Sequence, residues 1–222
     1  MSPREIAKRA AWAGLDLVAL TDHNTARNAP AFAAACREEG LAAVYGCEVS
    51  TSEEVHVLAL FADHETAVGF GDEVYAALSP VANDPERFGD QVVVNEREEI
   101  VEMLGVSLIG ATSITLTELG RRIHRLGGLF VPAHVDRTAF SIWSQLGFLP
   151  PDDYDALEVT GPNGRIDPAG HAVVATSDAH RPSEIGCRYT VFEASAAAFE
   201  GLRAALAAGL AQARFNGPPT RG

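Results

Sequence analysis

The sequence has little positive charge, few cysteines and no long apolar run. Its 222 residues carry 17 Lys and Arg against 30 Asp and Glu, a net charge of −13, which argues against loose binding to nucleic acid through a general basic field. Cys36, Cys47 and Cys187 are odd in number and lack any C-x-x-C pairing, which indicates free thiols in a reducing cytosol. No apolar stretch approaches the roughly 20 residues that span a bilayer. We therefore expect a cytoplasmic protein with neither a membrane nor nucleic acid as a partner.

Short apolar segments alternate with helical segments along most of the chain. Ser2, Pro3 and Glu5 predict a capped helix almost from the first residue, and Gly14 ends it before a buried strand at 15–20. The same signals predict strands at 41–45, 55–61, 129–133, 156–160, 173–176 and 189–192, helices at 30–39, 65–78 and 115–126, and a last helix that Ser195 caps and Gly209 ends. This order implies βα units and a parallel sheet, either open and doubly wound or closed into a barrel.

The composition and length fit one domain with a core of its own. Hydrophobic residues make up 47% of the chain and charged residues 21%, as in ordinary globular proteins. We predict a single domain over residues 1–215 and a flexible tail at 216–222. Residues 79–112 include a charged run at 95–99 and break the alternation of helices and strands. We expect them to form an insertion or a cap over one end of the sheet.

Potential metal ligands follow four of the predicted strands. The residues in these positions are His23, Glu48, His134, Asp178 and His180. The carboxyl ends of strands in βα units gather at one edge, where ligands bind. His56 begins its own strand, but the loop after Glu48 immediately precedes it and could bring both into one site. A lone histidine after a strand is more often structural, whereas a set of imidazoles and carboxylates suits zinc, iron or manganese.

Four ordered motifs give the chain a family resemblance. They are Leu-Thr-Asp-His-Asn at 20–24, Gly-Cys-Glu-Val-Ser-Thr at 46–51 with His56 beyond it, Pro-Ala-His-Val-Asp-Arg at 132–137 and Thr-Ser-Asp-Ala-His at 176–180. This set resembles the polymerase and histidinol phosphatase (PHP) family from residue 1 to about residue 210. Proteins of that family are distorted (βα)7 barrels that carry up to three metal ions and hydrolyse phosphate esters. The resemblance implies an α/β, TIM-like PHP barrel and a metal-dependent phosphoesterase.

The resemblance also implies cofactors and a substrate class for this chain. By position in the motifs, the ligands are Glu48, His56 and His134 for one metal, Glu48 and Asp178 for a second, and His23 and His180 for a third. The metals would be divalent zinc, manganese or iron, and the substrate a small phosphorylated metabolite or nucleotide.

Two carboxylates and two arginines are the residues that the resemblance implies for catalysis. Glu48 and Asp178 would hold the metals that act on the phosphate. Arg137 and Arg181 each lie just after a motif and are candidates for binding phosphate oxygens in a bidentate way. A solvated surface charge is the alternative interpretation of each arginine.

The chain departs from the family pattern at its start. The family begins with a strand that carries Asp-x-His-x-His, whereas this chain begins at the helix that should follow, so we expect a barrel without its first strand and two metal sites short of ligands. Three explanations stay open. The chain is a fragment of a longer protein, or it is a degenerate module with a metal-binding or scaffold role and no turnover. In the third, a partner segment or a second copy of the chain completes the open barrel edge.

An amidohydrolase-like metal hydrolase is a rival from another enzyme class. Such enzymes also place His and Asp ligands at barrel strand ends, but they usually use a carboxylated lysine on a barrel strand. The single lysine of this chain, Lys8, lies on the first predicted helix. The sequence therefore favours the phosphoesterase.

Overall fold

The computed structural model describes residues 1–162 and 167–217, in which helices and strands alternate along most of the chain. The helices are α1 (Pro3–Trp12), α2 (Ala29–Glu38), α3 (His64–Ala76), α4 (Pro85–Phe88), α5 (Leu116–Arg125), α6 (Ile142–Leu146) and α7 (Phe199–Ala207). The strands are β1 (Leu17–His23), β2 (Ala42–Ser50), β3 (His56–Phe61), β4 (Val92–Val94), β5 (Ile100–Met103), β6 (Leu129–Pro132), β7 (Leu157–Glu158), β8 (Val173–Val174), β9 (Tyr189–Phe192) and β10 (Ala211–Arg214). The α/β class predicted from the sequence is confirmed. Within these ranges no helix is long and apolar enough to cross a bilayer.

The largest sheet has the strand order β1-β2-β3-β6. β1 and β2 run parallel, whereas β3 is antiparallel to both β2 and β6. A parallel connection needs a crossover of about a dozen residues or more, and only residues 51–55 separate β2 from β3. The prediction of a parallel sheet is therefore wrong for β3. This reversal brings the first residue of β3 beside the last residues of β2.

Hydrogen bonds extend the wall of strands beyond β6. The Val135 N–H donates to the Glu158 carbonyl at 2.8 Å, and β7 then pairs in parallel with β8. The hydroxyl of Thr190 on β9 bonds to the backbone of Ala175 beyond β8, at 2.9 Å. Among the residues described, β1 pairs with β2 alone and β9 with β10 alone. The described wall is open, and the closed (βα)7 barrel implied by the family resemblance is not seen.

Alternate residues of the main sheet pack on opposite faces, as the two-residue period of strands requires. On one face Val57, Ala59 and Phe61 pack against α3 and α5. The other face carries a second apolar layer, formed by Val44, Leu58, Leu60, Leu129 and Val131, which packs against Phe199 and Leu206 of α7. Glu48 and His56 have the same parity as Val44 and Leu58, so they lie on this second face, at the edge where β2 ends.

Residues 79–112 contain α4 and an antiparallel hairpin of β4 and β5. The segment is held to the loop after β1. Asn28 donates to the Val92 carbonyl at 3.2 Å and accepts the Val94 N–H at 3.0 Å, and Arg27 bonds to Glu102 of β5 at 2.7 Å. The domain boundaries and the status of this segment as an insertion stay predictions, and residues 218–222 of the predicted tail lie outside the described range.

The last helix begins later than the predicted cap at Ser195. α7 starts at Phe199, with Ala198 as a cap that makes no side-chain hydrogen bond. The segment before it lies against the helix at Gly201, where an added Cβ would come 2.6 Å from the Ala196 carbonyl oxygen. Because residues 195–198 fold back onto this glycine, they do not continue the helix.

Candidate metal centre

Glu48 lies at the centre of three histidines. His56 Nδ1 lies 2.8 Å and His134 Nε2 lies 3.1 Å from Glu48 Oε1, while His23 Nδ1 lies 3.9 Å from Glu48 Oε2. Ligand atoms of His23, Glu48 and His56 all lie within 4.8 Å of one another. Glu48 is 6% exposed and His134 2% exposed. These four residues, named here the Glu48 cluster, therefore form a group around one buried carboxylate, in which His134 is also buried and His23 and His56 are partly exposed.

The strand register places each member of the Glu48 cluster. The parallel pairing of β1 with β2 sets His23 opposite Glu48, and the antiparallel pairing of β2 with β3 sets Ser50 opposite His56. The Ala133 N–H donates to the His56 carbonyl at 2.9 Å, which holds His134 just beyond the end of β6. The predicted strand at 41–45 placed Glu48 after the strand. The observed β2 runs to Ser50, so Glu48 lies within it.

Gly46 permits the close approach of β2 and β3 beside the Glu48 cluster. A Cβ on Gly46 would lie 1.9 Å from the Ala59 carbonyl oxygen, a distance that no side chain tolerates without movement of the backbone. Gly46 lies two residues before Glu48 in β2 and pairs with Leu60 of β3. The glycine is therefore needed for the hairpin that joins Glu48 to His56.

Burial and hydrogen bonding shift the pKa of Glu48 in opposite directions. Burial by itself raises it, but hydrogen bonds with His134 and His56 and the attraction of His23 outweigh burial and hold the pKa of Glu48 well below its ordinary value. Burial lowers the pKa of His23, partly offset by Glu48. At neutral pH the carboxylate is therefore ionised and His23 is neutral, which are the forms that bind a metal.

Two unpaired ring nitrogens test whether the cluster fits a metal ion. Within the described part of the chain, the Nδ1 atoms of His23 and His134 are buried and find no hydrogen-bond partner. A buried polar atom without a partner costs about 1–3 kcal/mol. Imidazoles with a carboxylate are donors that zinc, iron and manganese accept. Of the two nitrogens, the Nδ1 of His23 lies toward Glu48, and this unpaired nitrogen and the donor set fit a divalent metal ion.

Asp178 and His180 lie on the loop after β8, named here the Asp178 loop (residues 177–181). The Asp178 side chain is 11% exposed, and its Oδ2 accepts a hydrogen bond from Arg137 Nη2 at 2.5 Å. His180 is 67% exposed, with Nδ1 at 3.8 Å from Asp178 Oδ1, and its ring lies 6.2 Å from that of His23. The structure brings this loop next to the Glu48 cluster but does not join the two through a hydrogen bond among the described residues.

The two predicted phosphate-binding arginines have different surroundings. Arg137 is 43% exposed and bonds to Asp178. Arg181 is exposed, and its backbone N–H donates to Glu184 Oε2 at 3.0 Å, beside the His180 N–H at 2.8 Å. Arg137, and not Arg181, therefore contacts a predicted metal ligand within the described chain.

Glu158 is a buried carboxyl that the sequence analysis did not single out. Its Oε2 accepts the His134 N–H at 2.8 Å, and its Oε1 accepts the Thr176 hydroxyl. Burial is the main cause that raises the pKa of Glu158 above its ordinary value. Glu158 links the loop after β6 to the chain that leads into the Asp178 loop. A lone acidic residue inside the predicted apolar strand at 156–160 was the signal for it.

Asn24 joins the Glu48 cluster to residues 79–112. Its side-chain N–H groups donate to the carbonyls of Leu108 at 2.7 Å and Gly110 at 3.0 Å, and its Oδ1 accepts the Ser50 N–H at 2.9 Å. Asn24 is fully buried. It follows His23 in the first motif, but its partners are distant in sequence and gave no signal.

Four residues at the site have left-handed backbone although none is glycine. They are Asn24, His134, Phe140 and Asp178, with φ of 49°, 30°, 55° and 48°. Such conformations cost of order 1–3 kcal/mol each and concentrate at functional sites. Phe140 stacks on His56, with ring centroids 4.8 Å apart and planes 14° apart. No feature of the sequence distinguished this phenylalanine.

Comparison with known proteins supports one family. Residues 1–120 match the family model of the PHP domain, and residues 167–210 match the model described as PHP-associated. No curated protein is significantly similar in sequence.

Three solved structures have a similar fold. Endonuclease Q from Pyrococcus furiosus is 20% identical with a TM-score of 0.69, and the match covers 96% of this chain and 53% of that one. Endonuclease Q in complex with a 27-mer duplex substrate with an abasic lesion is 21% identical with a TM-score of 0.67, covering 94% and 52%. A protein described as a metal-dependent phosphoesterase from Bifidobacterium adolescentis is 18% identical with a TM-score of 0.59, covering 93% and 90%. This chain thus spans about half the length of the two endonuclease Q structures.

The prediction that nucleic acid is not a partner is wrong. It rested on the net charge of the whole chain, yet two similar structures are endonuclease Q, one of them with a 27-mer duplex substrate bound. A phosphate group is bound by the cations nearest to it, so the net charge of the whole surface does not exclude nucleic acid as a partner.

Proposed function

We propose that this chain, which belongs to the PHP domain family, is a hydrolase that cleaves phosphate esters with bound divalent metal ions. The observation that carries the proposal is the Glu48 cluster, in which three imidazoles surround an ionised, buried carboxylate. The Nδ1 atom of His23 lies 3.9 Å from Glu48 Oε2 and has no hydrogen-bond partner among the described residues, so it is available to a metal ion. The residues that would hold metal are His23, Glu48, His56, His134, Asp178 and His180.

The chain's own groups divide the work of the reaction between them. Divalent metals bound here would supply a water of lowered pKa and neutralise charge on the phosphoryl oxygens. Glu48 holds the histidines in place by hydrogen bonds with His56 and His134. Arg137, which is partly exposed beside Asp178, would bind phosphoryl oxygens through its planar guanidinium. The apolar layer beneath Glu48 excludes water from the base of the site and strengthens its electrostatic interactions.

We propose a small phosphorylated metabolite or nucleotide as the substrate class. A phosphodiester within nucleic acid is the second candidate, and the likeness of the fold to endonuclease Q favours it. Both substrates present the same phosphoryl oxygens to the metals and to Arg137. They differ in the groups that lie beyond the phosphate.

Metal content and hydrolysis, measured on the same samples, test the proposal. We expect the purified chain to contain zinc, manganese or iron by elemental analysis, and we expect any hydrolysis of p-nitrophenyl phosphate or bis-p-nitrophenyl phosphate with added manganese to depend on that metal. His134→Ala should lose metal and activity, whereas His64→Ala, a histidine outside the Glu48 cluster, should keep both. Unchanged metal content in His134→Ala would refute the assignment. Bound metal without hydrolysis of either ester would favour a metal-binding module without turnover.

A further inference from the structure

Phe140 combines two properties that a purely structural aromatic residue rarely has. Its side chain is 46% exposed, and its backbone has φ of 55°, a conformation that is unfavourable for a bulky residue. One face of its ring lies against His56, with planes 14° apart. Since that face is covered, the exposed surface of the ring is its opposite face and its edges.

The backbone around Phe140 fixes this orientation. The Phe140 carbonyl accepts the His56 N–H at 2.9 Å, so the main chain and the ring contact the same residue of the Glu48 cluster. On the other side, the Ser141 hydroxyl donates to the Arg137 carbonyl at 2.7 Å and closes the turn between them. Phe140 and Arg137 therefore extend from one closed turn beside the Glu48 cluster.

The partly exposed ring of Phe140 therefore lies on His56 of the Glu48 cluster and three residues along the chain from Arg137. An aromatic face binds another planar ring by offset stacking, and nucleobases stack on phenylalanine in this way whatever their identity. A ligand that fits these groups has a phosphate for Arg137 and the metals and a planar ring for Phe140. A nucleoside phosphate has both. Sugar phosphates and aliphatic phosphates have no group that would use the ring.

We propose that the outward face of Phe140 is a stacking subsite for the base of a nucleoside phosphate, and that it selects such esters over phosphates without a base. This inference rests on the proposed function and deepens it. The nucleoside phosphate can be a free nucleotide or an unpaired nucleotide of a nucleic acid strand. The shared group is a planar base next to the phosphate.

A structural role for Phe140 makes a different prediction from a stacking role. If the ring only holds His56 in place, its loss changes metal binding and affects every substrate equally. If the ring binds a base, its loss affects base-containing ligands alone. Phe140→Leu separates the two roles, because leucine keeps apolar packing on His56 but has no aromatic face.

Binding of hydrolysis-resistant ligands tests the subsite without relying on turnover. The probes are the phosphonate analogues of adenosine 5′-phosphate and ribose 5-phosphate, titrated calorimetrically into the manganese-loaded chain. We expect the adenosine probe to bind about tenfold or more tightly than the ribose probe. Phe140→Leu should remove that preference with manganese affinity unchanged, and Phe140→Tyr should keep it. Phe148→Ala, which alters a residue that is 55% exposed elsewhere on the surface, should also keep it.

Each result decides the inference separately from the proposed function. Equal binding of the two probes by the unaltered chain, or equal weakening of both in Phe140→Leu, would overturn the stacking subsite even if esters are hydrolysed. Preference for the adenosine probe that depends on Phe140 would support the subsite even if no ester is turned over. A single-stranded oligonucleotide and its abasic counterpart form the second arm, and a Phe140-dependent preference there assigns the base to a nucleic acid strand.

Discussion

The Glu48 cluster and the Asp178 loop bring the predicted metal ligands to the same region by different means. Three members of the cluster lie on paired strands, the fourth lies just beyond β6, and Glu48 is almost completely buried. His180 on the loop is two-thirds exposed, and Asp178 is bonded to an arginine instead of a histidine. Strand register holds side chains to within a fraction of an ångström, whereas a loop relies on its own hydrogen bonds.

From this comparison we expect metal binding to proceed in two stages. The strands already bring the Glu48 cluster together, so a metal ion would need little rearrangement there. At Asp178 the guanidinium of Arg137 is the positive charge that neutralises the carboxylate, and a metal would have to compete with it. We expect the first metal to bind at the Glu48 cluster and the Asp178 loop to order around later ones.

Glu48→Gln should have the largest effect on this comparison. The amide keeps the shape of the side chain but removes the charge that the histidines surround, and loss of an ionised ligand weakens metal binding. We expect metal affinity and any phosphoesterase activity to fall by more than about 100-fold, the upper value for residues that only support ligands. Calorimetric titration with manganese measures the change, and the exposed Glu65→Gln is the control. Retention of full affinity would mean that the cluster is not the metal centre.

Gly46→Ala should break the strand register that forms the cluster. The new Cβ would overlap the Ala59 carbonyl oxygen, and overpacking of this kind costs about 3 kcal/mol or more. Urea unfolding of the metal-free chain measures the loss. Gly69→Ala is the matched control, because Gly69 lies in α3 with open space around its Cβ, and alanine should stabilise a helix interior by about 1 kcal/mol. Equal stability of the two variants would contradict the role given to Gly46.

Arg137→Gln should sharpen the difference at the Asp178 loop. Removing the competing cation frees Asp178, and a partly exposed ion pair is worth at most about 1 kcal/mol, so we expect metal affinity to rise by up to about fivefold. KM for a phosphate ester should rise as well, because the phosphate loses a binding group. Arg125→Gln, a change at an exposed arginine outside the site, should alter neither quantity. A fall in metal affinity in Arg137→Gln would show that Arg137 supports the site and does not compete in it.

His180→Ala should have the smallest effect on the first metal. Its ring is largely exposed and makes no hydrogen bond to the Glu48 cluster within the described chain. We expect manganese affinity of the cluster to change by less than about twofold, although a further, weaker metal could be lost. Titration of His180→Ala beside His134→Ala measures the contrast. A loss as large as that of His134→Ala would remove the distinction between the two regions.

Much of the Glu48 cluster could be predicted because strand ends report position. His23 is the last residue of β1 and His134 lies just beyond β6, and the observed structure brings both to Glu48. His56 was harder, since it starts a strand, and the short loop before β3 was the cue that it would turn back toward Glu48. The role of each of these residues as a metal ligand stays a prediction, as does an upstream strand with Asp-x-His-x-His.

What the sequence could not predict depends on contacts between distant segments. Glu158 reaches His134 across 24 residues, and Asn24 reaches Leu108 across 84. Short-range periodicity carries no information on such pairs. The same limit applies to Arg137, whose pairing with Asp178 spans 41 residues. The exclusion of nucleic acid as a partner was wrong for a related reason. The net charge describes the whole surface, whereas a phosphate group interacts with the few charges nearest to it.

The triple attachment of Asn24 has a consequence for how the molecule opens. Its Oδ1 accepts the Ser50 amide proton while its N–H groups hold the carbonyls of Leu108 and Gly110. Opening of the chain around 108–110 would leave the buried side-chain N–H groups of Asn24 unpaired unless Asn24 also releases Ser50. Amide hydrogen exchange at Ser50 should then follow the opening rate of that distant segment and not fraying of β2. Exchange of the Ser50 amide proton would thereby report, on the timescale of minutes to hours, whether residues 79–112 are bound to Asn24 beside His23.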